Sequence, residues 1–347
     1  MSNDESADPL VSICIPTYNR AGMLGDAIAS ALGQTYSRIE VIVVDNASTD
    51  NTAEIVASFT DPRLSYIKNE KNLGLFGNFN RCIEVASGSL IHILHSDDTI
   101  EPQFTERSVA FLRRNPAVML TFGSAKILRD NQVVGELSFA DKDIILAPPD
   151  GFQLLLSERN FIICPSVIVR RELYDVVGSY PVDLPYSADY ALWLKVARSY
   201  SIGFVREAVV HYRQGEHSES HRLLFSSPDG YFDMIRIYHS TIRELGDQYN
   251  SYRKEMNQAL WRFIKDCLYA SATRCAQGID KGSVFPSMYI GAAISGWSMI
   301  LTSSITDICK KNLKIFGILL FTLLVTTPGL RQVIYKYLNK SKSVTVY

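Results

Sequence analysis

Short apolar runs alternate with helix-patterned segments over the first 125 residues, and this rhythm restricts the fold more than any other feature. Residues 11–15, 41–44, 64–67, 90–94 and 119–122 read as buried strands. Residues 24–32, 49–58, 76–86 and 102–113, lying between them, carry helical spacing. Such alternation implies an α/β architecture, a doubly wound and mostly parallel sheet with right-handed crossovers. Further on, 128–149 reads as a small hairpin or a loop, 166–169 as a strand, and 189–198 as an amphipathic helix. Residues 201–205 and 208–212 read as edge strands.

Open α/β sheets bind ligands outside the carboxyl ends of their strands, so the strand ends carry the chemistry. The fourth run breaks off in His95-Ser96-Asp97-Asp98. Two adjacent carboxylates repel unless a cation lies between them, and hard oxygen ligands suit Mg²⁺ or Mn²⁺. In isolation, a solvated turn capping the next helix explains the segment about as well. The first run ends in Pro16-Thr17-Tyr18-Asn19-Arg20. Tyr18 there can stack on a flat ring whose edge meets main-chain amides; an ordinary strand-to-helix turn is the plainer reading. The second ends in Asp45-Asn46-Ala47-Ser48-Thr49. Ser48 or Thr49 fits a helix N-cap, which leaves Asp45 unexplained; its carboxylate can accept a base N–H such as the imide of uracil. Asn72-Leu73-Gly74 precedes a helical stretch holding Asn78, Asn80 and Arg81. Gly74 permits close backbone approach and a helix N-terminus favours anions, although Asn-x-Gly is also turn punctuation.

A length of 347 residues allows a sizeable domain plus an appendage. A net charge of −1, with no basic stripe in the first 300 residues, argues against nucleic acid as a partner. Cys14, Cys82, Cys164, Cys267, Cys275 and Cys309 are scattered without a Cys-x-x-Cys pair, as expected of reduced thiols rather than a zinc site or disulfide framework. The polar, acidic start (MSNDESADP) is unlike a secretory signal, so the catalytic part is expected in the cytoplasm.

Beyond about residue 220 strand signals thin out and helical patterns follow at 231–245, 252–276 and 286–304. The expected organisation is therefore a domain over 1–220 and a helical region over 221–347. Residues 315–330 carry no charge. At 1.5 Å per residue this run reaches about 24 Å, short of the roughly 30 Å hydrocarbon core. Lys310, Lys311 and Lys314 precede it; Arg331, Lys336, Lys340 and Lys342 follow. Positive charge on both flanks suits a segment lying at an anionic membrane surface near 310–340. A buried helix or an oligomer contact is the competing reading.

Taken in order, PTYNR, VIVVDNASTDNT, NLGLFGNFNR and LIHILHSDD with Pro102 downstream resemble the motifs of inverting family 2 glycosyltransferases of GT-A fold. The resemblance covers about residues 10–220 and is strongest in the first hundred. It implies a nucleotide-diphospho-sugar transferase with a helical C-terminal extension. By position it implies a donor site of Pro16, Thr17, Tyr18, Asp45, Asn46, Ser48, Gly74, Asn78, Ser96 and Asp97, with the first four holding the base, usually uracil. The acidic motif implies a divalent cation, Mg²⁺ or Mn²⁺, on Asp97 with Asp98 beside it. His95 departs from the family, standing where many relatives have the first Asp of an Asp-x-Asp triplet, and Phe79 stands where Arg is frequent. His211-Tyr212-Arg213 followed by His217 resembles the family's closing segment and implies a metal or phosphate contact at His217.

Inversion requires a base to take the acceptor's proton on the face opposite the departing nucleotide. The stretch from Tyr186 to Trp193 resembles the one that supplies it, making Asp189 the expected base and Asp183 the fallback; capping of the following helix is the alternative role for Asp189. The expected activity is metal-dependent transfer of a sugar from a UDP-linked donor to a glycan or polyprenyl-linked acceptor in cell-surface polysaccharide synthesis, at the cytoplasmic face of the membrane. The competing classes are a nucleotide-sugar-binding protein without turnover and a nucleotidyltransferase. The latter's usual Gly-rich, basic first loop is missing between Thr17 and Gly22.

Overall fold

The computed structural model describes residues 8–215 and 229–276. The described residues divide into two compact units. One holds the chain up to Leu155 and from Asn160 through the last strand; the other holds Leu156–Arg159 with two long helices.

The first unit begins β1 (Val11–Thr17), α1 (Ala21–Leu32), β2 (Ile39–Asp45), α2 (Thr52–Ala57), β3 (Leu64–Lys68), α3 (Leu75–Val85) and β4 (Leu90–Ile93). These strands pair in parallel in the order β3-β2-β1-β4. Side chains alternate across a strand. Val11, Ile13 and Ile15 accordingly join Leu24 and Ile28 of α1 in one core, while Cys14 faces the other way and donates its thiol to the Cys82 carbonyl of α3 at 3.6 Å. Helices thus cover both faces, which is why these strands are apolar throughout rather than alternating.

Beyond β4 the sheet becomes mixed. The chain continues through β5 (Thr99–Ile100), α4 (Phe104–Arg114), β6 (Val118–Arg129), β7 (Gln132–Leu137), β8 (Ile144–Leu146), α5 (Asp150–Glu158), a 3₁₀ turn at Cys164–Ser166, β9 (Ile168–Arg170), α6 (Glu172–Val177), α7 (Ala188–Ser199) and β10 (Ser201–Arg213). The order runs on as β4-β9-β6-β10-β5, with β7 on β6 and β8 on β10. Only β6 and β10 are parallel in this half.

Of the two readings of 128–149, the hairpin forms: Asp130 (φ 48°) and Asn131 (φ 60°) make the left-handed two-residue turn between β6 and β7. The two edge strands expected over 201–212 are instead one interior strand, β10, flanked by β6 and β5. The exposed pair Arg206-Glu207 imitates a break; a bulge between Val205 and Val209 absorbs it and pairing resumes.

In the second unit α8 (Asp229–Leu245) and α9 (Tyr249–Ala276) occupy two of the stretches with helical patterns. Tyr238 meets Phe263 edge-to-face at 5.9 Å, and Arg159 pairs with Asp266 at 2.7 Å. Among the described residues no helix is long and apolar enough to cross a membrane. The 286–304 pattern and the segment near 310–340 lie outside the described residues.

Candidate active site

The carboxyl ends of β1, β2 and β4 open onto a cleft of about 740 Å³. Pro16, Thr17, Tyr18 and Arg20 line it from the β1–α1 turn, Asn46 from the end of β2, and Asn72, Gly74, Phe76, Asn78 and Phe79 from the approach to α3. His95, Ser96 and Asp97 enter after β4, Asn160 and Ile162–Pro165 from one loop, Tyr186 and Asp189 around the start of α7, and Tyr212 and Arg213 from the end of β10.

The first two turns are built as one piece. Ser48 Oγ accepts the Asn19 N–H at 2.9 Å, Asn19 Oδ1 accepts the Thr49 N–H at 2.8 Å, and Asp50 Oδ2 accepts the Ala21 N–H at 3.1 Å. Asn19 and Ala47 take left-handed backbone, which Asn tolerates better than most residues. Helix α2 starts later than expected, at Thr52; Asp50, rather than Ser48 or Thr49, accepts its first amide at 3.2 Å. Tyr18 is 46% exposed at the rim, with its ring available to stack.

Asp45 and Ser48 were expected against the donor, and neither lines the cleft. Asp45 is fully buried beneath the turn: Oδ1 accepts the Ser48 N–H at 2.8 Å and Oδ2 accepts the Tyr66 hydroxyl at 2.6 Å. Its visible work is to shape the turn that presents its neighbour Asn46. A network of amides continues the wall. Asn46 Nδ2 donates to Asn72 Oδ1 at 2.8 Å and to the Gly74 carbonyl at 3.1 Å, while Asn46 Oδ1 accepts the Leu73 N–H at 2.8 Å. Asn78 donates to the Val44 carbonyl at 2.9 Å and accepts from Asn69 at 2.8 Å. Gly74 (φ 77°) makes the left-handed entry to α3, so glycine is required there.

After β4, His95, Asp97 and Asp98 each offer one ligand atom, all within 4.8 Å of one another. Asp97 faces the cleft. Asp98 is buried; its Oδ1 accepts the Arg213 N–H at 2.7 Å and its Oδ2 lies 3.4 Å from His95 Nδ1. Burial pushes the Asp98 carboxyl up to about 6, opposed by its bond to His95 and reinforced by the Asp97 charge. Burial alone depresses His95, but bonding to Asp98 and Cys164 outweighs it and holds the imidazole well above its ordinary range. Beyond the approaches of His95 to Asp98 and Cys164, Asp98 Oδ2 and His95 Nε2 are buried with no further hydrogen-bond partner. Two carboxylates, an imidazole and such orphaned atoms in one corner fit a divalent cation. His217 lies outside the described residues.

Asp189 sits partly buried in the first turn of α7, where Asn160 Nδ2 donates to its Oδ2 at 3.1 Å. Burial raises its carboxyl, an effect countered by its own helix amides, by His95 and by Asn160. Asp183 is exposed and outside the cleft lining. Phe79 packs on His95 (5.6 Å) and Tyr180 (5.5 Å), so it supports the acidic corner as an apolar wall. Asn80 is tied to the Tyr180 backbone, and Arg81 pairs with Glu84 on an exposed face.

The sequence reading missed Arg20, Asn72, Phe76, Asn160 and the run Ile162–Pro165. That run has no motif. It joins the cleft because the Pro165 carbonyl meets His92 Nε2 of β4 at 2.8 Å, a contact between residues 73 apart in sequence.

The model of the family described as Glycosyl transferase family 2 matches residues 12–178. The Escherichia coli UDP-Glc:alpha-D-GlcNAc-diphosphoundecaprenol beta-1,3-glucosyltransferase WfgD is 30% identical over 200 residues, spanning 57% of this chain and 74% of WfgD. Among solved structures, S. aureus TarS 1–349 in complex with UDP-GlcNAc superposes with a TM-score of 0.57 at 18% identity, over 83% of this chain and 91% of that one. The mannosyltransferase PcManGT from Pyrobaculum calidifontis, in complex with GDP-Man and Mn²⁺, gives 0.52 at 18% identity over 85% and 89%. The fold is thus the GT-A type of these transferases. With a matching family model and a relative of this identity and coverage, the chain belongs to glycosyl transferase family 2.

Proposed function

We propose that the protein transfers a sugar, with inversion, from a UDP-linked donor to a hydroxyl of a lipid-linked glycan at the cytoplasmic face of the membrane, in cell-surface polysaccharide synthesis. One observation carries the reading. A single cleft gathers a cation-binding corner of acids after β4 and a separate carboxylate, Asp189, at the start of α7. Transfer to a hydroxyl needs one group to receive the proton and another to offset the charge of the leaving diphosphate.

Asp189 accepts the acceptor's hydroxyl proton as that oxygen bonds to the anomeric carbon. The bond from that carbon to the donor's phosphate oxygen breaks, and the nucleoside diphosphate departs. Asp97, with Asp98 and His95, would hold a divalent cation, Mg²⁺ or Mn²⁺, which when bound supplies Lewis-acid charge neutralisation. Tyr18 stacks on the base, and the N-terminal turn of α3, whose Leu75 and Phe76 line the cleft, faces the diphosphate.

The relatives support the finer choices. WfgD is named for UDP-Glc and a diphosphoundecaprenol acceptor, TarS was captured with UDP-GlcNAc, and PcManGT with Mn²⁺. The basic flanks around residues 315–330 support a membrane-surface role for the C-terminal region, with residues 1–220 as the catalytic domain.

The test is a donor screen by thermal shift with Mn²⁺ across UDP-, GDP- and dTDP-sugars, followed by transfer assays. UDP-sugars should stabilise the protein, and Asp97→Ala should abolish the stabilisation. Asp189→Asn should lose at least about a hundredfold in transfer while donor binding persists. Release of pyrophosphate instead of UDP would mean a nucleotidyltransferase. Donor binding with no turnover on any lipid-linked acceptor would favour the non-catalytic reading.

A further inference from the structure

Asn160 enters the cleft from the loop between α5 and the Cys164–Ser166 turn, and its amide is held at both ends. Nδ2 donates to Asp189 Oδ2 at 3.1 Å, and Oδ1 accepts the Ile162 N–H at 3.2 Å. The second bond fixes the rotation of the amide, because only its oxygen can accept from Ile162. The nitrogen is therefore the end that faces the carboxylate.

A carboxylate at the start of a helix turns easily about its terminal torsion, which is broad and roughly two-fold. Proton transfer demands that one oxygen stand within hydrogen-bond reach of the acceptor hydroxyl in the reacting geometry. Asp189 is faced by His95 after β4, by Cys164 in the 3₁₀ turn, by Tyr180 ahead of α7, and by Asn160. Backbone amides of its own first turn bond it as well, and Asn160 adds a side-chain hydrogen bond from outside the helix. It does so across 29 residues of sequence, which ties this loop to the first turn of α7.

We infer that Asn160 is a positioning residue for transfer: its amide occupies Oδ2 of Asp189 and sets the plane in which that carboxylate meets the acceptor hydroxyl. The inference rests on the reading of Asp189 as the base. Neither bond follows from a sequence motif, since Asn160 stands in an unpatterned loop.

Asn160→Asp is the discriminating variant. It keeps an oxygen for the Ile162 N–H, so the loop retains its shape, but it replaces the donor facing Asp189 with a second carboxylate. Against UDP-sugar, Mn²⁺ and a lipid-linked acceptor, kcat should fall about ten- to a hundredfold with donor KM and Tm unchanged. The acid limb of the kcat/KM profile should move to higher pH, because a like charge now opposes ionisation of the base. Asn160→Ala should lose kcat to a similar extent with a smaller shift of that limb. If Asp189→Asn is inactive while Asn160→Asp keeps wild-type kcat and pH profile, the positioning role is wrong and the base stands. If Asp189→Asn still transfers sugar, the base reading fails and takes this inference with it.

Discussion

The Arg20 guanidinium lies 3.8 Å from the Asp97 carboxylate, so the acid that follows β4 carries a counter-cation supplied by the β1–α1 turn. Both side chains are less than a fifth exposed, which limits screening by solvent. A divalent cation bound at Asp97 shares that carboxylate with Arg20 and is repelled by it. Ion pairs of this partly exposed kind contribute under about 1 kcal/mol. Arg20→Ala should therefore tighten Mn²⁺ binding by about two- to fivefold, read by titration of free Mn²⁺ with electron paramagnetic resonance. Unchanged or weaker binding would mean that the guanidinium does not compete for the site.

The same corner should bind metal in a pH-dependent way. Burial pushes Asp98 up to about 6, and His95 is held protonated well above its ordinary range. A cation must displace protons from both to use them as ligands. Affinity for Mn²⁺ should consequently rise from pH 5 to pH 7, by up to about tenfold per unit for each proton displaced. Asp98→Asn should weaken binding and flatten the profile. Equal affinity at pH 5, 6 and 7 in the wild type would show that Asp98 and His95 stay outside the coordination sphere.

How much of this was legible in the sequence depends on the range of the contacts. The apolar run of β4 ending in Asp97 and Asp98 is a local signal, and the structure puts those acids at a strand end beside a cleft. Gly74 and Asn78 lie at local turn and helix cues and Asn46 was reached through the family resemblance; their shared amide network, closed by Asn69 and Asn72, was not legible. Asp45 looked available because helix capping by Ser48 or Thr49 left it without a role, yet the Ser48 N–H takes one of its oxygens and Tyr66, 21 residues later, takes the other. Asn160 reaches Asp189, and Pro165 reaches His92, only after distant strands have paired. Composition and spacing carry no trace of such contacts. The break in β10 failed for another reason: two charged residues read as a turn unless a neighbouring strand absorbs them as a bulge.

His92 shows how burial at β4 makes stability sensitive to acid. It is fully buried, stacked on Phe104 at 4.9 Å, with Nε2 2.8 Å from the Pro165 carbonyl. Burial pushes its pKa from 6.5 down to about 4 despite that bond. The unfolded chain therefore binds a proton near pH 6.5 while the folded protein refuses it until about 4. The stabilising contribution is complete above 6.5 and is lost as pH falls through that window. At about 1.4 kcal/mol per pKa unit, the loss between pH 7 and pH 4.5 comes to about 2–3 kcal/mol. His92→Gln cannot titrate, so urea unfolding at the two pH values should show a smaller acid loss than wild type by about that amount. Equal acid sensitivity would place the responsible groups elsewhere.

Gly123 of β6 is where β10 crowds its neighbour most closely. A Cβ there would meet the Ala208 carbonyl oxygen at 1.9 Å, and backbone cannot rotate away as a side-chain tip can. The crowding comes from the bulge: Gly123 pairs with Val205, Ser124 with Val209, and the intervening residues bow toward β6. Ser124 Oγ holds the bow by donating to the Arg206 carbonyl at 2.8 Å, while the Gly123 N–H donates to Ser166 Oγ at 3.1 Å. Gly123→Ala must force the two strands apart, at a cost of about 2–3 kcal/mol. Because β10 ends at Arg213, whose N–H bonds Asp98, the displacement should also reach the acidic corner. The variant is expected to melt several degrees lower and to bind Mn²⁺ more weakly. Gly135→Ala on β7, where the added Cβ meets open space, should change neither. If Gly123→Ala melts like wild type, the bulge is compliant; if it melts lower but binds Mn²⁺ normally, strain in β10 is not transmitted to Asp98.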